Sequence, residues 1–306
     1  MKAAAPLSDA TRRRVLLPFL IVTLIWGSTW LVIRGQLGVV PVSWSVTYRF
    51  AVASATMFAF AAASRTSLRL SARDHLFLTG MGVAIFVLNF NLVYRAEAHV
   101  TSGIVAVTFA LLIVYNSILG RVFLGQALSR PFMLGSGVAM LGIALLFAHE
   151  LHVAARNAHQ VALGIGLTLL AMVFASIANV LQSTDRARAM PMPALLAWGM
   201  LWGAIVDALW AWTTTGPPQF EATPRYVAGV LYLGVIASAL AFTLYFTLIR
   251  QIGPARGGYV NVLTPVIAMG LSTVFERYRW SVEAALGGAL VLAGLVVAMR
   301  ARSPAR

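Results

Sequence analysis

The sequence contains no cysteine and little charge. Only 10% of its 306 residues are charged, against roughly a quarter in an ordinary soluble domain, and only nine are acidic. The lack of cysteine excludes disulfide frameworks, thiolate metal sites and thiol nucleophiles, and it leaves the redox compartment undetermined. Hydrophobic residues make up 60% of the chain, more than a water-soluble fold can bury. The composition therefore predicts a membrane protein.

The net charge of +14 comes from arginines dispersed in short clusters between long apolar runs. Nucleic-acid binding is not expected, because it needs basic residues collected on one face or helix. The basic residues of 1–14 precede an apolar run at 15–33, which superficially resembles a signal peptide. That run is too long for a signal peptide and lacks a small-residue cleavage site, so we expect it to remain as a membrane span.

Apolar runs of about twenty residues, the length that crosses a bilayer as a helix, recur along the chain. They predict ten transmembrane helices, at residues 15–34, 41–64, 75–95, 99–121, 131–148, 161–182, 192–213, 226–249, 257–275 and 281–299. With Arg49 left out, the basic residues favour one side of the membrane by sixteen to six. The positive-inside rule makes that side cytoplasmic, so both termini are expected to be cytoplasmic.

Two sets of five spans resemble each other at an offset of 152 residues. Gly135 and Gly142 correspond to Gly287 and Gly294, and the Val-Phe pair at 122–123 recurs at 274–275. Because five is odd, the second set enters the membrane from the opposite side, which predicts an inverted repeat. The predicted fold is an all-α membrane protein with ten transmembrane helices, arranged as two inverted five-helix repeats around a central cavity. Its parts are a basic N-terminus (1–14), a first repeat (15–148), a linker (149–160), a second repeat (161–299) and a tail (300–306).

Several segments resemble the EamA-type members of the drug/metabolite transporter (DMT) superfamily. They are WGSTWLVIRG (26–35), YRF (48–50), the run from AEAHVTSG to GSGVAMLG (96–142), LIRQIGPARGG (248–258), NVLTPVIA (261–268) and GGALVLAG (287–294). The resemblance rests on their order and spacing. It implies a basket of ten helices around a cavity that faces one side at a time. It also implies export of amino acids, other metabolites or toxic compounds, and the amino-acid exporters are the nearest group.

The sequence departs from this family at two places. The family often has a glutamate after the fourth and ninth spans, where this sequence has Gln126 and Tyr278, with Glu276 two residues away. The proline of the ninth span is present as Pro265, whereas its counterpart in the fourth span is Ile113. The two gates are therefore expected to behave unequally.

Polar side chains at the membrane centre are candidate cavity linings, because they are costly unless they pair or face water. Trp26 and Trp30 share one face of the first span and suit a solute with an apolar or cationic part. The hydroxyls of Ser28 and Thr29 lie beside them. Packing or lipid contact is the alternative for the two indoles. Further candidates for substrate binding, whose alternative role is interhelical hydrogen bonding, are Asn89, Asn91, Tyr94, Thr108, Tyr115, Ser176 and Asn179.

The ninth span contains a predicted polar notch. Pro265 removes a backbone donor and frees a carbonyl about one turn earlier, close to Asn261. Asn261 and Thr264 are therefore candidate substrate-binding residues, and Pro265 is a candidate hinge. An ordinary proline kink is the alternative.

Two charges fall inside predicted spans. At a rise of 1.5 Å per residue, Arg49 lies about 12 Å from the outer end of its span and Asp207 about 9 Å from the outer end of its own. This similar depth permits an ion pair. For Arg49 a gating or structural role is expected rather than substrate contact, since the resemblance includes this arginine. Asp207 is the proton-coupling candidate, and snorkelling of its side chain to the outer surface is the favoured alternative.

The predicted function is secondary export of amino acids or similar small polar metabolites by alternating access across a bacterial inner membrane. The alternative within the superfamily is export of drugs or organic cations, and outside it a channel or an intramembrane enzyme. An enzyme is not expected, because HExxH and GxSxG motifs are absent and all five histidines lie at span ends or in loops. No cofactor or metal is expected. The expected partners are the solute and the lipid bilayer, and the expected state is a monomer, although glycine faces on the fifth and tenth spans would also suit a dimer.

Overall fold

A computed structural model of the chain describes residues 9–125, 128–153, 158–245, 247–248 and 260–300. Side chains are described within these ranges except at 9–14, 149–153, 261–262 and 299–300. All regular secondary structure in this part of the chain is helical. Eight of the described helices are long and apolar enough to cross a membrane, so the protein is a multi-pass membrane protein.

The long helices are numbered in chain order. They are α1 (Asp9–Arg34), α2 (Val42–Ala63), α3 (Ala72–Glu97), α4 (Ser102–Leu124), α5 (Arg130–Val153), α6 (Ala158–Gln182), α7 (Met192–Thr215), α8 (Pro224–Tyr245), α9 (Val260–Phe275) and α10 (Val282–Arg300). A short helix, Asp185–Ala189, lies between α6 and α7. The eight candidate spans lie in α1 to α8, whereas the apolar parts of α9 and α10 are shorter. Each of the first eight predicted spans overlaps one of these helices.

Local sequence signals account for several helix ends. Ser71 Oγ accepts a hydrogen bond from the Asp74 N–H, and the Asp74 carboxylate accepts one from the Ser71 N–H, each at 3.2 Å. This capping box satisfies two donors at the start of α3. Gly125 follows α4 with φ of 65°, a left-handed conformation that glycine adopts without steric cost.

Helix packing follows a regular scheme. α5 packs along α10, α2 along α7, and α4 against α9. Six further contacts form three matching pairs: α1 with α8 and α3 with α6, α1 with α9 and α4 with α6, and α2 with α8 and α3 with α7. Exchange of every helix with the one five places away maps each of the first three contacts onto itself and the two members of each pair onto each other. One buried apolar cluster lies among α1, α2, α3, α6, α7 and α8, and a second lies mainly among α4, α5, α6, α9 and α10.

Glycines let the backbones of α5 and α10 touch. A Cβ atom added to Gly294 would lie 2.4 Å from Ala139 N and 2.5 Å from Gly135 O. One added to Gly142 would lie 2.6 Å from Gly287 O. Such close approach is possible only with small residues at the contact. The glycine faces of the fifth and tenth spans therefore meet within one chain.

Two helices each contain a stretch of π-helix, at Val83–Asn89 in α3 and Tyr232–Leu240 in α8. The repeat offset of 152 carries 83–89 to 235–241, which overlaps the second stretch. π-helical turns are rare and frequently lie at functional sites. The residues within and beside the two stretches are therefore candidates for a functional site.

Candidate functional site

The two tryptophans of α1 contact different helices. The Trp26 indole N–H donates to the backbone carbonyl of Ala237 in α8 at 3.2 Å, and its ring lies 4.8 Å from that of Tyr245. The Trp30 ring instead lies 5.4 Å from Phe109 of α4. Its indole N–H is buried and has no hydrogen-bond partner among the described residues. The two indoles thus link α1 to α8 and to α4.

A hydroxyl pair joins α1 to the π-helical stretch of α8. Ser28 Oγ lies 2.6 Å from the Tyr232 hydroxyl, and it also donates to the Ile25 carbonyl at 2.9 Å. Thr29 uses its hydroxyl within α1, where it donates to the Trp26 carbonyl at 2.7 Å. Sequence reasoning missed Tyr232, because a tyrosine six residues into a predicted span is typical of the aromatic belt at a membrane surface.

Arg49 is enclosed between α2, α3 and α8, with 2% of its surface exposed. Its Nε donates to Ser238 Oγ at 3.1 Å, and its guanidinium carbon lies 4.3 Å from the centre of the Phe90 ring. Its Nη1 is buried without a hydrogen-bond partner among the described residues. Arg49 and Asp207 are both described, and no ion pair joins them, because each side chain is held by other residues.

Asp207 of α7 is 1% exposed, and its carboxylate connects three helices. It accepts hydrogen bonds from the Thr47 hydroxyl of α2 at 3.0 Å and from the Asn91 amide of α3 at 2.7 Å. The Asn91 Oδ1 in turn accepts from Ser43 Oγ at 2.7 Å and from Arg95 Nη1 at 3.0 Å. The expectation that Asp207 snorkels to the surface is therefore wrong, since its partners lie inside the helix bundle.

Three further predicted site residues form hydrogen bonds within the chain. Thr108 donates to the Ile104 carbonyl and Thr264 to the Val260 carbonyl, each at 2.8 Å, one turn earlier in the same helix. The Tyr94 hydroxyl is buried and donates to Gln36 Oε1 at 3.0 Å. The hydroxyl protons of Thr108 and Thr264 are therefore donated within their own helices.

Other predicted residues leave polar atoms unsatisfied. Asn89 Oδ1 in α3 and Ser176 Oγ in α6 are buried and have no partner among the described residues. A buried polar atom without a partner costs about 1–3 kcal/mol, so such atoms require an explanation. Asn179 donates to Asn116 Oδ1 at 3.2 Å, and Tyr115 is half-buried.

The predicted notch of the ninth span is described in part. Pro265 lies inside α9, as expected. The side chain of Asn261 lies outside the described residues.

A second polar cluster, here called the carboxylate latch (Arg34, Glu97, Ser102, Ser272 and Glu276), joins the ends of α1, α3, α4 and α9. Glu276 accepts hydrogen bonds from the Ser102 N–H and the Ser102 hydroxyl, both at 3.1 Å, and from the Ser272 hydroxyl. Its Oε1 lies 3.8 Å from Arg34 Nε. Arg34 also donates to the backbone carbonyl of Glu97. These contacts hold the ends of the four helices together.

The latch holds two carboxyl groups around one hydroxyl. Ser102 Oγ lies 2.8 Å from Glu97 Oε2 and 3.1 Å from Glu276 Oε1. A hydroxyl has one proton to donate, so both contacts are hydrogen bonds only when one of the carboxyl groups is itself protonated. Glu97 is 0% exposed, and its other oxygen is buried without a partner among the described residues.

Sequence reasoning missed the latch as a unit, because Glu97 and Glu276 lie at the ends of predicted spans and are typical of loop residues. The only sequence signal was Glu276, which lies two residues from the position where the family often has a glutamate. At the other end of α3 a different ion pair is formed, in which Arg186 Nε lies 3.2 Å from Asp74 Oδ1. Arg186 is the repeat counterpart of Arg34, since 34 plus 152 is 186.

Two stretches of the chain, residues 13–148 and 162–300, match the EamA-like transporter family. The chain belongs to this family. The resemblance drawn from the sequence motifs is thereby confirmed, and as an EamA-family member the chain is a multi-pass membrane transporter.

Curated relatives match the EamA-family chain over nearly its full length at low identity. Protein PagO of Salmonella typhimurium (strain LT2) is 23% identical and covers 93% of this chain and 92% of its own. A protein named as a probable terminal-alkyne amino-acid exporter of Streptantibioticus cattleyicolor is 26% identical and covers 92% of each chain. A probable amino-acid metabolite efflux pump of Escherichia coli (strain K12) is 20% identical and covers 91% of this chain and 92% of its own.

One solved structure has the same fold. A crystal structure with 20% sequence identity superposes with a TM-score of 0.67, and the match covers 94% of this chain and 97% of the other. At this identity the likeness establishes the fold alone.

Proposed function

We propose that this EamA-family chain exports amino acids or similar small polar metabolites by alternating access across a bacterial inner membrane. One observation carries the proposal. The Trp30 N–H, Asn89 Oδ1 and Ser176 Oγ are buried on α1, α3 and α6 without a partner among the described residues, and α3 packs against both other helices. Together they offer a donor, an acceptor and a hydroxyl, which are the groups that a zwitterion needs. The names of two relatives, an amino-acid exporter and an efflux pump, agree with this reading.

The proposed architecture has ten transmembrane helices in two inverted repeats, 15–148 and 161–299, around a central cavity. Three observations support it: the packing scheme that survives exchange of α1–α5 with α6–α10, the overlapping π-helical stretches, and the two separate family matches. The arginine bias supports an orientation with both termini in the cytoplasm and the latch on the outer side. α5 and α6 extend into the predicted linker 149–160 as far as Val153 and from Ala158.

The proposed substrate-binding residues are those predicted from the sequence, with Tyr232 added. Trp30, Asn89 and Ser176 have the strongest support, because each carries a buried polar atom without a partner among the described residues. Trp26 and Ser28 follow, because each forms a hydrogen bond with the π-helical stretch of α8. Asn91 and Tyr94 are proposed to act through the hydrogen bonds that they make with other helices. The remaining proposed members are Thr29, Thr108, Tyr115, Asn179, Asn261 and Thr264, and Pro265 is the proposed hinge.

Flux in proteoliposomes tests the proposal. Purified protein is expected to give saturable counterflow of at least one member of a broad amino-acid panel, and cells that overproduce it should tolerate more of a toxic amino-acid analogue. Empty liposomes are the control. Activity toward lipophilic cations with none toward the panel would support the drug-exporter alternative instead, and flux that does not saturate would indicate a channel.

Asp207 is the proposed proton-coupling residue. Its buried carboxylate holds Thr47 of α2 and Asn91 of α3, so a change in its charge alters the hydrogen bonds between three helices at once. Arg95, which is half-buried, reaches Asn91 from the direction of the latch end of α3. Gain or loss of a proton at Asp207 would therefore change how α2, α3 and α7 are held together.

Opening of the latch can be measured with a single cysteine, because the native chain has none. Thr29→Cys places a thiol five residues, about 7.5 Å, below Arg34 in α1. Adding Glu276→Gln removes the negative charge of the carboxylate that Ser102, Ser272 and Arg34 contact. We expect faster labelling by a membrane-impermeant maleimide added outside, since each 1.4 kcal/mol lost from the closed state raises the open population about tenfold.

Asp74→Asn is the matched control for the latch variant, because it breaks the ion pair with Arg186 at the opposite end of α3. Labelling of the Thr29→Cys thiol from outside should not rise in this variant. A Glu276→Gln protein that is labelled as slowly as its parent would show that the latch does not close the outer side.

A further inference from the structure

Arg49 is a buried cation that no described carboxylate neutralises. It lies seven residues into α2, about 10 Å from the start of the helix, and it is 2% exposed. Charged residues inside a span are costly, and they pair with an opposite charge or line a solute path. No ion pair involves Arg49 in the part of the chain that the structure describes. The described part of the protein therefore leaves the charge of Arg49 without an ion-pair partner.

The helices packed around Arg49 present neutral groups to it. From α8 the Ser238 hydroxyl accepts from Nε, and Tyr232 lies within electrostatic range of the guanidinium. From α3 the Phe90 ring lies under the guanidinium, and the Tyr94 hydroxyl is a hydrogen-bond partner of the guanidinium. Cation–π contact offsets part of the cost of burial, but it makes no hydrogen bond to the edge of the guanidinium.

Acidic residues nearby are engaged elsewhere. Asp207 of α7 is bonded to Thr47 and Asn91. Glu97, at the end of α3, is bonded to Ser102 in the latch. Neither carboxylate is directed at Arg49, whose Nη1 stays buried without a partner among the described residues.

We propose that Arg49 binds the carboxylate of the exported solute, which supplies the missing negative charge. This inference rests on the proposed function and narrows it to solutes that carry a carboxylate. A guanidinium presents its N–H groups in a planar fork that matches the two oxygens of a carboxylate. One edge of the fork is held by Ser238 and its face by Phe90, while Nη1 is left available.

The position of Arg49 relative to the other candidate residues fits this role. Tyr232, which lies near the guanidinium, is also within hydrogen-bond distance of Ser28 on α1. Asn89, whose Oδ1 is an unsatisfied acceptor, precedes Phe90 on α3. A zwitterion whose carboxylate meets Arg49 thus has hydroxyl and amide acceptors on the two adjoining helices for its ammonium group.

Competition between acids and their amides tests the inference. The probes are L-leucine, L-threonine and L-phenylalanine, each with its neutral amide, added to proteoliposomes of the full-length protein during counterflow of the labelled acid. An amide keeps the ammonium group and side chain and loses only the negative charge. We expect the amide to compete at least about tenfold more weakly than the acid, because a site built to bind a group rejects analogues that lack it.

Variants of Arg49 then assign this preference to one side chain. Arg49→Gln should raise the KM for the acid about tenfold or more and leave competition by the amide unchanged, so that the preference disappears. Arg49→Lys keeps the charge without the planar fork and should retain part of the preference. Arg225→Gln removes an exposed arginine and serves as the control. In this variant the acid and the amide should compete with the same relative strength as in the parent protein.

The outcomes separate the two proposals. Counterflow of no member of the broad amino-acid panel, these three acids included, would overturn the export function and this inference with it. Counterflow in which amides compete as well as acids would overturn the inference and leave the function standing. Equal losses for acid and amide in Arg49→Gln would assign Arg49 a structural or gating role. Because the comparison of acid with amide uses the native protein, a variant that fails to fold does not prevent the test.

Discussion

Gly294→Leu is expected to lower the yield and the melting temperature of the folded protein strongly, whereas Gly288→Leu in the same helix is expected to be tolerated. A side chain at Gly294 would meet Ala139 N and Gly135 O at 2.4 and 2.5 Å, and both are backbone atoms that cannot turn aside. Relief therefore requires α5 and α10 to separate along their length. Nothing lies within 4 Å of a Cβ atom built on Gly288.

The loss at Gly294 is expected to be about 3 kcal/mol of unfolding free energy, the upper end of the usual cost of overpacking. Size-exclusion chromatography of a fluorescent fusion in detergent, followed by heating of the eluted protein, measures the effect. Gly288→Leu should elute as a single peak and melt near the parent temperature. Equal yields and melting temperatures for the two variants would show that α5 and α10 do not touch at Gly294.

Asp207→Asn is expected to abolish solute transport driven by a pH gradient and to leave counterflow largely intact. Counterflow exchanges one solute for another, so it does not require net movement of protons. The asparagine keeps the size of the native side chain and an oxygen that accepts from Thr47 or Asn91, but it cannot gain or lose a proton near neutral pH. Both activities are measured in the same proteoliposomes, with and without an imposed gradient.

Asp207→Ala separates the structural part of this role from the coupling part. It leaves Thr47 and Asn91 without their buried acceptor and is expected to lower the free energy of unfolding by about 3 kcal/mol. Asp185→Asn, at an exposed position, is the control for loss of one carboxylate. Persistence of gradient-driven transport in Asp207→Asn would exclude this residue as the proton carrier.

The membrane helices were predictable from the sequence, because the length of an apolar run is set by the thickness of the bilayer and not by neighbouring helices. The first eight predicted spans overlap helices for this reason. The glycine pairs at Gly135, Gly142, Gly287 and Gly294 also indicated close packing in advance. What they did not indicate was the partner, since a small-residue face suits contact with any helix.

The site was less predictable, because it depends on which helices meet. The sequence indicated that Asp207 and Arg49 lie inside spans, and their similar depth permitted an ion pair without showing that they are adjacent. In the fold, Asp207 lies against α2 and α3 while Arg49 is directed toward α8. The latch joins Arg34, Glu97 and Glu276, which are far apart in the chain, and no local pattern relates them.

The π-helical stretches of α3 and α8 allow the two ends of each helix to rotate relative to each other. A π-helical turn holds about one residue more than an α-helical turn, and converting it to regular α-helix rotates the part of the helix beyond it by about 100°. Such a step shifts side chains at one end without melting the other. In α3 and α8 this means that Asn91 and Tyr232, which lie beside the two stretches or within them, can exchange neighbours while the contact between α5 and α10 stays fixed.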